Sequence, residues 1–148
     1  KVASGGELSR IALAISVVTS QLGTAQTLIF DEVDAGVGGA VAETVGRLMK
    51  QLGLDRQVLA VTHLPQVAAC ADQHLVVAKQ LQGKSTESSV SQVVNSDRVN
   101  EIARMLGGAQ VTDATLAHAT EMIAVQAINT PARTIFISKT ALKSKIPA

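Results

Sequence analysis

The sequence predicts an α/β fold in which parallel strands are joined by crossover helices and an antiparallel hairpin extends the sheet. A short apolar run at residues 27–30 is followed by a segment of helical period and by a second apolar run at 57–62. A crossover helix between consecutive strands implies that they are parallel, with a right-handed connection. Polar residues 83–89 separate two more strand-like runs and are therefore expected to form the turn of a hairpin.

The chain begins with a predicted helix. Ser4 and Glu7 have the spacing of a capping box. Apolar side chains then recur at helical spacing as far as Gly23: Leu8, Ile11, Ile15, Val18 and Leu22. Gly5 and Gly6 let the backbone approach a ligand, and a helix start offers free N–H groups and a positive dipole end. The segment Ser4-Gly5-Gly6-Glu7 therefore has two interpretations, an ordinary capped helix or a phosphate site.

The remaining elements follow in chain order. A second helix ends at Gly53 and has one apolar face: Val41, Val45, Leu48 and Leu52. Pro65 begins a short helix that runs towards Cys70, since proline is tolerated in the first turn. Strands are expected at 74–79 and 90–94, and helices at 97–106 and 113–123.

Charge divides the chain into a lobe, residues 1–123, and a divergent basic tail, residues 124–148. The tail carries four basic residues and no acidic one, whereas the lobe carries nine basic and twelve acidic residues. The tail has no clear periodicity, and we expect it to be poorly ordered.

Composition disfavours several classes of function. The 148 residues include two Phe and neither Tyr nor Trp, so aromatic faces on which bases could stack are scarce. The net charge of +1 gives no general reason to bind a polyanion. The single cysteine, Cys70, excludes an internal disulfide framework and fits a reducing compartment. No apolar run reaches the length of a membrane span, so we expect a cytoplasmic protein without a membrane partner.

Asp31, Glu32 and His63 directly follow the two predicted parallel strands. Parallel strands end at the same edge of a sheet, where such folds bind ligands, so these side chains are expected in one region. In a phosphate-hydrolysing site, Asp31 can hold Mg²⁺, and Glu32 can orient or deprotonate the attacking water. His63 can donate to a terminal phosphate. The structural alternatives are a solvated strand end for the carboxylates and a backbone hydrogen bond for the histidine.

The loop after the carboxylates contains Asp34 and glycines within 36–39. It fits either a flexible connection or a loop that meets a partner across a nucleotide. Cys70, His74 and His118 lack the spacing of metal ligands, and we interpret them as structural residues.

Gly83-Lys84-Ser85 imitates the end of a P-loop, the glycine-rich phosphate-binding motif. Ala78 stands where the motif requires its first glycine, and a strand is expected next in place of a helix. We interpret this segment as a turn, and these 148 residues contain no P-loop.

Three segments, in this order, resemble the motifs of ABC-type ATPases. Ser4-Gly5-Gly6-Glu7 resembles the signature motif, residues 27–32 (TLIFDE) the Walker B strand, and residues 61–63 (VTH) the switch histidine. Glu7 and Val33-Asp34 are typical of the SMC-like chromosome and repair ATPases, not of transporter ATPases. Four longer strings are similar to bacterial DNA repair members of that branch: KVASGGELSRIALAI, FDEVDAGVGGAVAE, VTHLPQVAA and EIARMLGG.

The resemblance covers residues 1–123 and implies the C-terminal lobe of an ABC/SMC-type head, a P-loop NTPase fold that binds and hydrolyses ATP in recombinational repair of DNA double-strand breaks. The implied cofactors are ATP and Mg²⁺. The implied partners are an N-terminal P-loop lobe of the same protein, a second head in a homodimer, and DNA through the full-length assembly. Without a P-loop, this chain alone is expected to be inactive.

The resemblance also assigns roles to residues. It implies nucleotide binding by Ser4, Gly5, Gly6, Glu7 and Asp34, metal binding by Asp31, and catalysis by Glu32 and His63.

Two other functions stay open at this point. A lobe without a P-loop could be a non-enzymatic dimerisation or interaction module. It could also belong to a transporter ATPase, although Glu7 and Val33-Asp34 disfavour that interpretation.

Overall fold

The structure, a computed structural model, describes residues 14–15, 18–19, 23–31, 34, 36–82, 85–108, 110–127 and 133–140. The strands within these ranges are β1 (Thr27–Asp31), β2 (Gln57–Val61), β3 (Gln73–Gln82), β4 (Ser85–Val93) and β5 (Arg133–Thr140). The helices are α1 (Gly39–Leu52), α2 (Pro65–Ala68), α3 (Asn95–Gly107) and α4 (Asp113–Val125).

The strands form one sheet in the order β1-β2-β5-β3-β4. The first four in that order are mutually parallel, and β4 pairs antiparallel with β3 at the edge. The predicted parallel pair, joined by the crossover helix α1, and the predicted hairpin are therefore confirmed. All the parallel strands end at the same edge, which we call the carboxyl edge.

The main core lies where α1 and α2 cover one face of the sheet. Phe30, Ala60 and Phe136 occupy successive positions of one row across β1, β2 and β5, and all three are buried. Met49 of α1 belongs to the same apolar cluster. Burying each phenylalanine contributes about 2–3 kcal/mol, so this row anchors the helices to the sheet.

A second apolar cluster lies where α3 and α4 pack beside α2. Its buried members are Ala68, Ile102, Ala103 and Ala119. Arg98 of α3 ties the two regions together, because its Nη2 donates to the carbonyl oxygens of Ala69 (3.1 Å) and Ala71 (2.6 Å). Within the described ranges, none of the helices has both the length and the apolar character needed to cross a membrane.

Strand β5 lies within residues 124–148, where we expected a poorly ordered tail. The structure differs for residues 133–140, which form a strand between β2 and β3 with Phe136 fully buried. Side chains alternate between the two faces of β5, and Thr134, Phe136 and Ser138 all face the helices. Two of these three inward residues are polar, so the apolar pattern that signals a strand is weak.

The hairpin is longer than predicted. Residues 85–89 were expected in the turn, but they belong to β4, which begins at Ser85. Residues 85–92 are exposed along this edge strand. A strand without a buried face need not alternate apolar and polar residues, which is why its polar sequence predicted a turn.

Candidate functional site

Asp31 and His63 lie at adjacent strand ends on the carboxyl edge. Asp31 ends β1 and is paired in register with Val61, the last residue of β2. His63 follows two residues later. Asp31 is exposed, and the His63 side chain is 70% exposed. The structure therefore brings these two predicted residues to one solvent-facing edge.

Asp34 lies beneath this edge and is only 1% exposed. Its Oδ2 accepts a hydrogen bond from the hydroxyl of Thr62 and another from the backbone N–H of His63, at 3.0 Å. Its Oδ1 lies 3.3 Å from Nδ1 of His63. A buried carboxylate is costly unless it is hydrogen-bonded, and these contacts hold Asp34 against the segment that carries the histidine.

The turn after β1 explains how Asp34 reaches this position. The N–H of Val37 donates to the carbonyl oxygen of Asp34 at 3.1 Å, which closes the turn. Gly36 has a φ of 74°, a left-handed conformation that glycine adopts without steric cost. The backbone therefore folds back and places the Asp34 carboxylate next to the end of β2.

The contact with Asp34 determines which nitrogen of His63 is available. An Asp carboxylate beside Nδ1 favours the tautomer with the proton on Nδ1, as in other carboxylate-oriented histidines. Nε2 of this mostly exposed ring is then the atom left to accept a hydrogen bond from solvent. When the ring is protonated, Nε2 donates to an anion.

Asp31 fits the requirements of a Mg²⁺ ligand. It offers hard carboxylate oxygens, and it is exposed at the edge where ligands of parallel sheets bind. Mg²⁺ usually keeps several waters and takes one or two protein carboxylates together with substrate phosphates. One exposed carboxylate is therefore compatible with a Mg²⁺–phosphate complex. Among the described residues, no group of three His, Cys, Asp or Glu side chains forms a metal site made by protein alone.

Five predicted site residues lie outside the described residues: Ser4, Gly5, Gly6, Glu7 and Glu32. Of the helix predicted after Ser4, the described positions 14–15 and 18–19 are helical. Ile15 and Val18 on its apolar stripe are 57% and 58% exposed.

Thr62 is a site residue that the sequence reasoning missed. It is 4% exposed, and its Oγ1 donates to Asp34 while accepting from the N–H of Leu64 at 3.0 Å. It thereby links the buried carboxylate to the start of α2. A threonine three residues before the helix start at Pro65 was the available signal, since such hydroxyls often bond to backbone at helix starts.

A separate buried polar network joins β3, β5 and α3. Ser138 Oγ donates to Glu101 Oε1 at 2.7 Å, and it lies 2.9 Å from Nε2 of His74. Because the Ser138 proton goes to Glu101, His74 Nε2 is the donor in its own contact with Ser138. Arg104 completes the network with two contacts of 2.7 Å to Glu101.

Burial sets the protonation of this network. It lowers the pKa of His74 to about 4, with a further contribution from the nearby Arg98 charge. For Glu101, burial alone would raise the pKa, but hydrogen bonds from Arg104 and Ser138 outweigh it and hold the pKa below its ordinary value. His74 is therefore a neutral, structural histidine at neutral pH.

A cavity of about 410 Å³ opens between α1, α2 and α4. Its polar lining comes mainly from Glu43, Gln66, His118 and Glu121. Neither Asp31, Asp34 nor His63 lines it, so the cavity and the carboxyl edge are different places.

The chain is similar to proteins described as DNA repair protein RecN. It is 52% identical over 123 residues to the Vibrio cholerae protein, 49% identical to that of Haemophilus influenzae and 47% identical to that of Bacillus subtilis. Each match covers 83% of this chain but only 21–22% of the relative. The chain thus spans about one fifth of the length of the RecN proteins that it matches. No family model matches the chain.

The fold is similar to one solved in a study of ATP-driven dimerization and DNA-stimulated activation of SMC ATPases. The TM-score is 0.59 at 21% identity, over 73% of this chain and 65% of that one. At this identity the likeness concerns the fold, and it agrees with the predicted ABC/SMC-type head. Together with the RecN matches of 47–52% identity, it leads to one conclusion: the chain is similar to about one fifth of the RecN sequence and has the fold of an SMC-type ATPase head lobe.

Proposed function

We propose that this chain is the C-terminal lobe of a RecN-type ATPase head that acts in repair of DNA double-strand breaks, in the bacterial cytoplasm at the nucleoid. The observation that carries the proposal is the arrangement at the carboxyl edge: exposed Asp31 beside His63, with buried Asp34 against its Nδ1. The active unit requires a P-loop lobe of the same protein and a second head. DNA contact belongs to the full assembly.

The proposed roles follow from the chemistry of phosphoryl transfer, in which positioning and charge stabilisation dominate. Mg²⁺-bound ATP supplies the phosphoryl group that is transferred to water. Asp31 offers an oxygen ligand to the metal, directly or through its water. Glu32, the next residue, orients the attacking water and accepts its proton. His63 uses Nε2 towards the terminal phosphate, and Asp34 holds the ring.

The proposed site also includes Ser4, Gly5, Gly6 and Glu7, which the sequence predicts to be a helix start. Free N–H groups and the positive end of the helix dipole bind phosphate, and the small side chains allow close approach. We propose that this segment contacts the nucleotide bound by the opposite head. ATP would then join two heads, and hydrolysis would separate them.

The test joins this chain to a P-loop lobe from a RecN relative and measures ATP hydrolysis. We expect the Glu32→Gln variant to lose at least 100-fold in turnover, because general-base catalysis contributes about 10²–10⁴-fold. ATP-dependent association of two heads should persist. Asp55→Asn, in the turn before β2, is the matched control, since it neutralises an exposed carboxylate at the opposite end of that strand from His63. Unchanged turnover in Glu32→Gln would remove Glu32 from the mechanism.

The competing proposal is a non-enzymatic interaction module, which the missing P-loop in these 148 residues favours. On that proposal the joined protein would hydrolyse no ATP even with Glu32 intact, while still associating with its partner. The same assay therefore separates the two functions.

A further inference from the structure

We propose that the gap between β2 and β3 is a strand-acceptor site for which β5 and a strand of the P-loop lobe compete. This inference rests on the proposed function, because it requires a P-loop lobe as partner. The expected occupant is a parallel strand that leads directly into a phosphate-binding loop.

The order of the strands in the sheet differs from their order in the chain. The chain leaves β2, passes through α2 and enters β3, yet β5 separates these two strands. β5 pairs in parallel with both of them: Ile137 lies opposite Val61 of β2 and Leu75 of β3. Removing β5 would leave two separate pairs, β1–β2 and β3–β4, each with an open edge of unpaired backbone groups.

A strand in the gap between β2 and β3 must bury the side chains on its helix-facing side. Its helix-facing positions hold Thr134, Phe136 and Ser138, which are 1%, 0% and 1% exposed. Thr134 bonds to Asp72 through its hydroxyl and its backbone N–H. Ser138 bonds to Glu101 at 2.7 Å. A strand that fits this gap therefore carries, on its helix-facing side, one large apolar side chain flanked by two small side chains.

A parallel strand in this gap continues into a loop at the carboxyl edge. A P-loop comes directly after a parallel strand. Because Val61 and Ile137 are paired, the residues after a strand in this gap run beside Thr62 and His63. In the proposed mechanism His63 contacts the phosphate directly, so the phosphate-binding loop has to lie nearer to His63 than to Asp31. Asp31, one strand farther at a spacing of about 4.8 Å, acts through Mg²⁺ and water and can be more distant.

The outer edge of β1 is the other open parallel edge next to this site, and it fits less well. A loop there would lie beside Asp31 but two strand spacings, about 10 Å, from the strand that carries His63. The gap therefore suits a phosphate-binding strand better than the outer edge does.

The predicted lobe, residues 1–123, ends before β5 begins at Arg133. A relative without a counterpart of β5 needs another strand in the gap. In this chain β5 occupies the gap between β2 and β3. On this proposal, a strand of the P-loop lobe occupies the same gap in the assembled head.

The experiment mixes the full chain with a P-loop lobe from a RecN relative, without nucleotide, and follows amide hydrogen exchange. We expect the amides of Ile135, Phe136 and Ile137 to lose protection when the lobe binds, while those of β2 and β3 stay protected. Binding with β5 still protected would overturn the proposal, as would the absence of binding.

Two variants make the test independent of general stability. Phe136→Ala weakens the resident strand and should raise the affinity for the lobe at least tenfold. Phe30→Ala is the matched control, because it removes the same side chain from the same row of the sheet but from β1. Equal effects of the two variants would overturn the proposal, and if Phe136→Ala fails to fold, the exchange experiment on the unaltered chain still decides.

The outcome also separates this inference from the proposed function. If the lobe displaces β5 but the complex hydrolyses no ATP with Glu32 intact, strand exchange stands and the ATPase proposal fails. If the complex hydrolyses ATP while β5 stays protected, the ATPase proposal stands and strand exchange fails.

Discussion

Asp34 shows how a single buried carboxylate can organise an exposed site. Both of its oxygens face the segment after β2, where they contact Thr62 and His63. The buried Asp34 carboxylate holds the His63 ring at Nδ1, so the rest of the ring stays open to solvent. We infer that Asp34 is a positioning residue for His63 and need not itself contact nucleotide.

The Asp34→Asn variant tests this inference. The amide oxygen can still accept from the Thr62 hydroxyl and the His63 N–H, but hydrogen bonds to a neutral oxygen are weaker than those to a carboxylate, so we expect a loss of about 1 kcal/mol in the free energy of unfolding. Urea titration followed by circular dichroism measures this value. Asp55→Asn, at an exposed turn position, is the control and should change stability by less than about 0.5 kcal/mol. Equal stability of the two variants would contradict the role of Asp34.

His74 makes stability depend on pH. Its pKa is about 4 in the folded chain against an ordinary value of 6.5, so the unfolded chain binds the extra proton between these values. The stabilisation is therefore complete above pH 6.5 and is lost as the pH falls towards 4, by on the order of 3 kcal/mol. Arg98 and Arg104 oppose protonation, whereas Glu101 favours it.

We expect His74→Gln to flatten this pH dependence, since its amide can donate to Ser138 and does not titrate. The measurement is the free energy of unfolding at intervals between pH 7 and pH 4, in both proteins. The slope is compared instead of the absolute value, because the substitution has its own packing cost. Parallel curves would show that His74 does not titrate as its burial requires.

At the scale of elements, the contact between α1 and α2 depends on one glycine. A Cβ added at Gly46 would lie 2.6 Å from Sγ of Cys70 and 3.2 Å from Cα of Val67. The first distance is far below van der Waals contact, and the second involves backbone that cannot easily move. The absence of a side chain is what lets the two helices approach this closely.

Gly46→Ala should therefore destabilise the chain by about 1–3 kcal/mol through overpacking, although alanine favours a helix by about 1 kcal/mol over glycine. Thr44→Ala, exposed on the same helix, is the control and should be near neutral. Combining Gly46→Ala with Cys70→Ala should restore part of the loss, because it removes the nearest atom. If the double variant recovers no stability in chemical denaturation, the clash with the backbone of α2, and not the one with Cys70, accounts for the whole loss.

The elements also show what the sequence could and could not predict. β1, α1 and β2 were predictable because apolar runs and helical periodicity follow one another, and parallel pairing then brings Asp31 and His63 to one edge. The bond network around Asp34 depends on a turn at Gly36 that periodicity does not encode. β5 was missed because its inward residues Thr134 and Ser138 are polar, and their partners lie on distant elements.

At the scale of the whole molecule, α2 connects the two apolar clusters. Val67 and Cys70 belong to the cluster around Phe136, whereas Ala68 belongs to the cluster with α3 and α4. The short helix α2 and the turn that follows it thus contact both clusters. This sharing indicates that the two clusters unfold together.

The Cys70 thiol reports on that cooperativity. It is fully buried, and burial raises its pKa to about 11, so an aromatic disulfide reagent should react with it only after opening. We expect the reactive fraction and the circular dichroism signal to share one urea midpoint. A Ser96→Cys substitution in a Cys70→Ala background provides an exposed thiol that reacts in the native state. Reaction of Cys70 well below the midpoint would indicate separate opening of α2.

The place of β5 also has a consequence for how the chain acquires its structure. The central strand of the sheet is the last of the five to be synthesised, and its partners β2 and β3 lie about 60–75 residues earlier in sequence. Pairing over such separations slows folding, because loop entropy is lost before the contacts form. During synthesis, β1–β2 and β3–β4 can form only as two open-edged halves, and other chains can pair with their edges. Completion of the sheet therefore waits until residue 140 has left the ribosome.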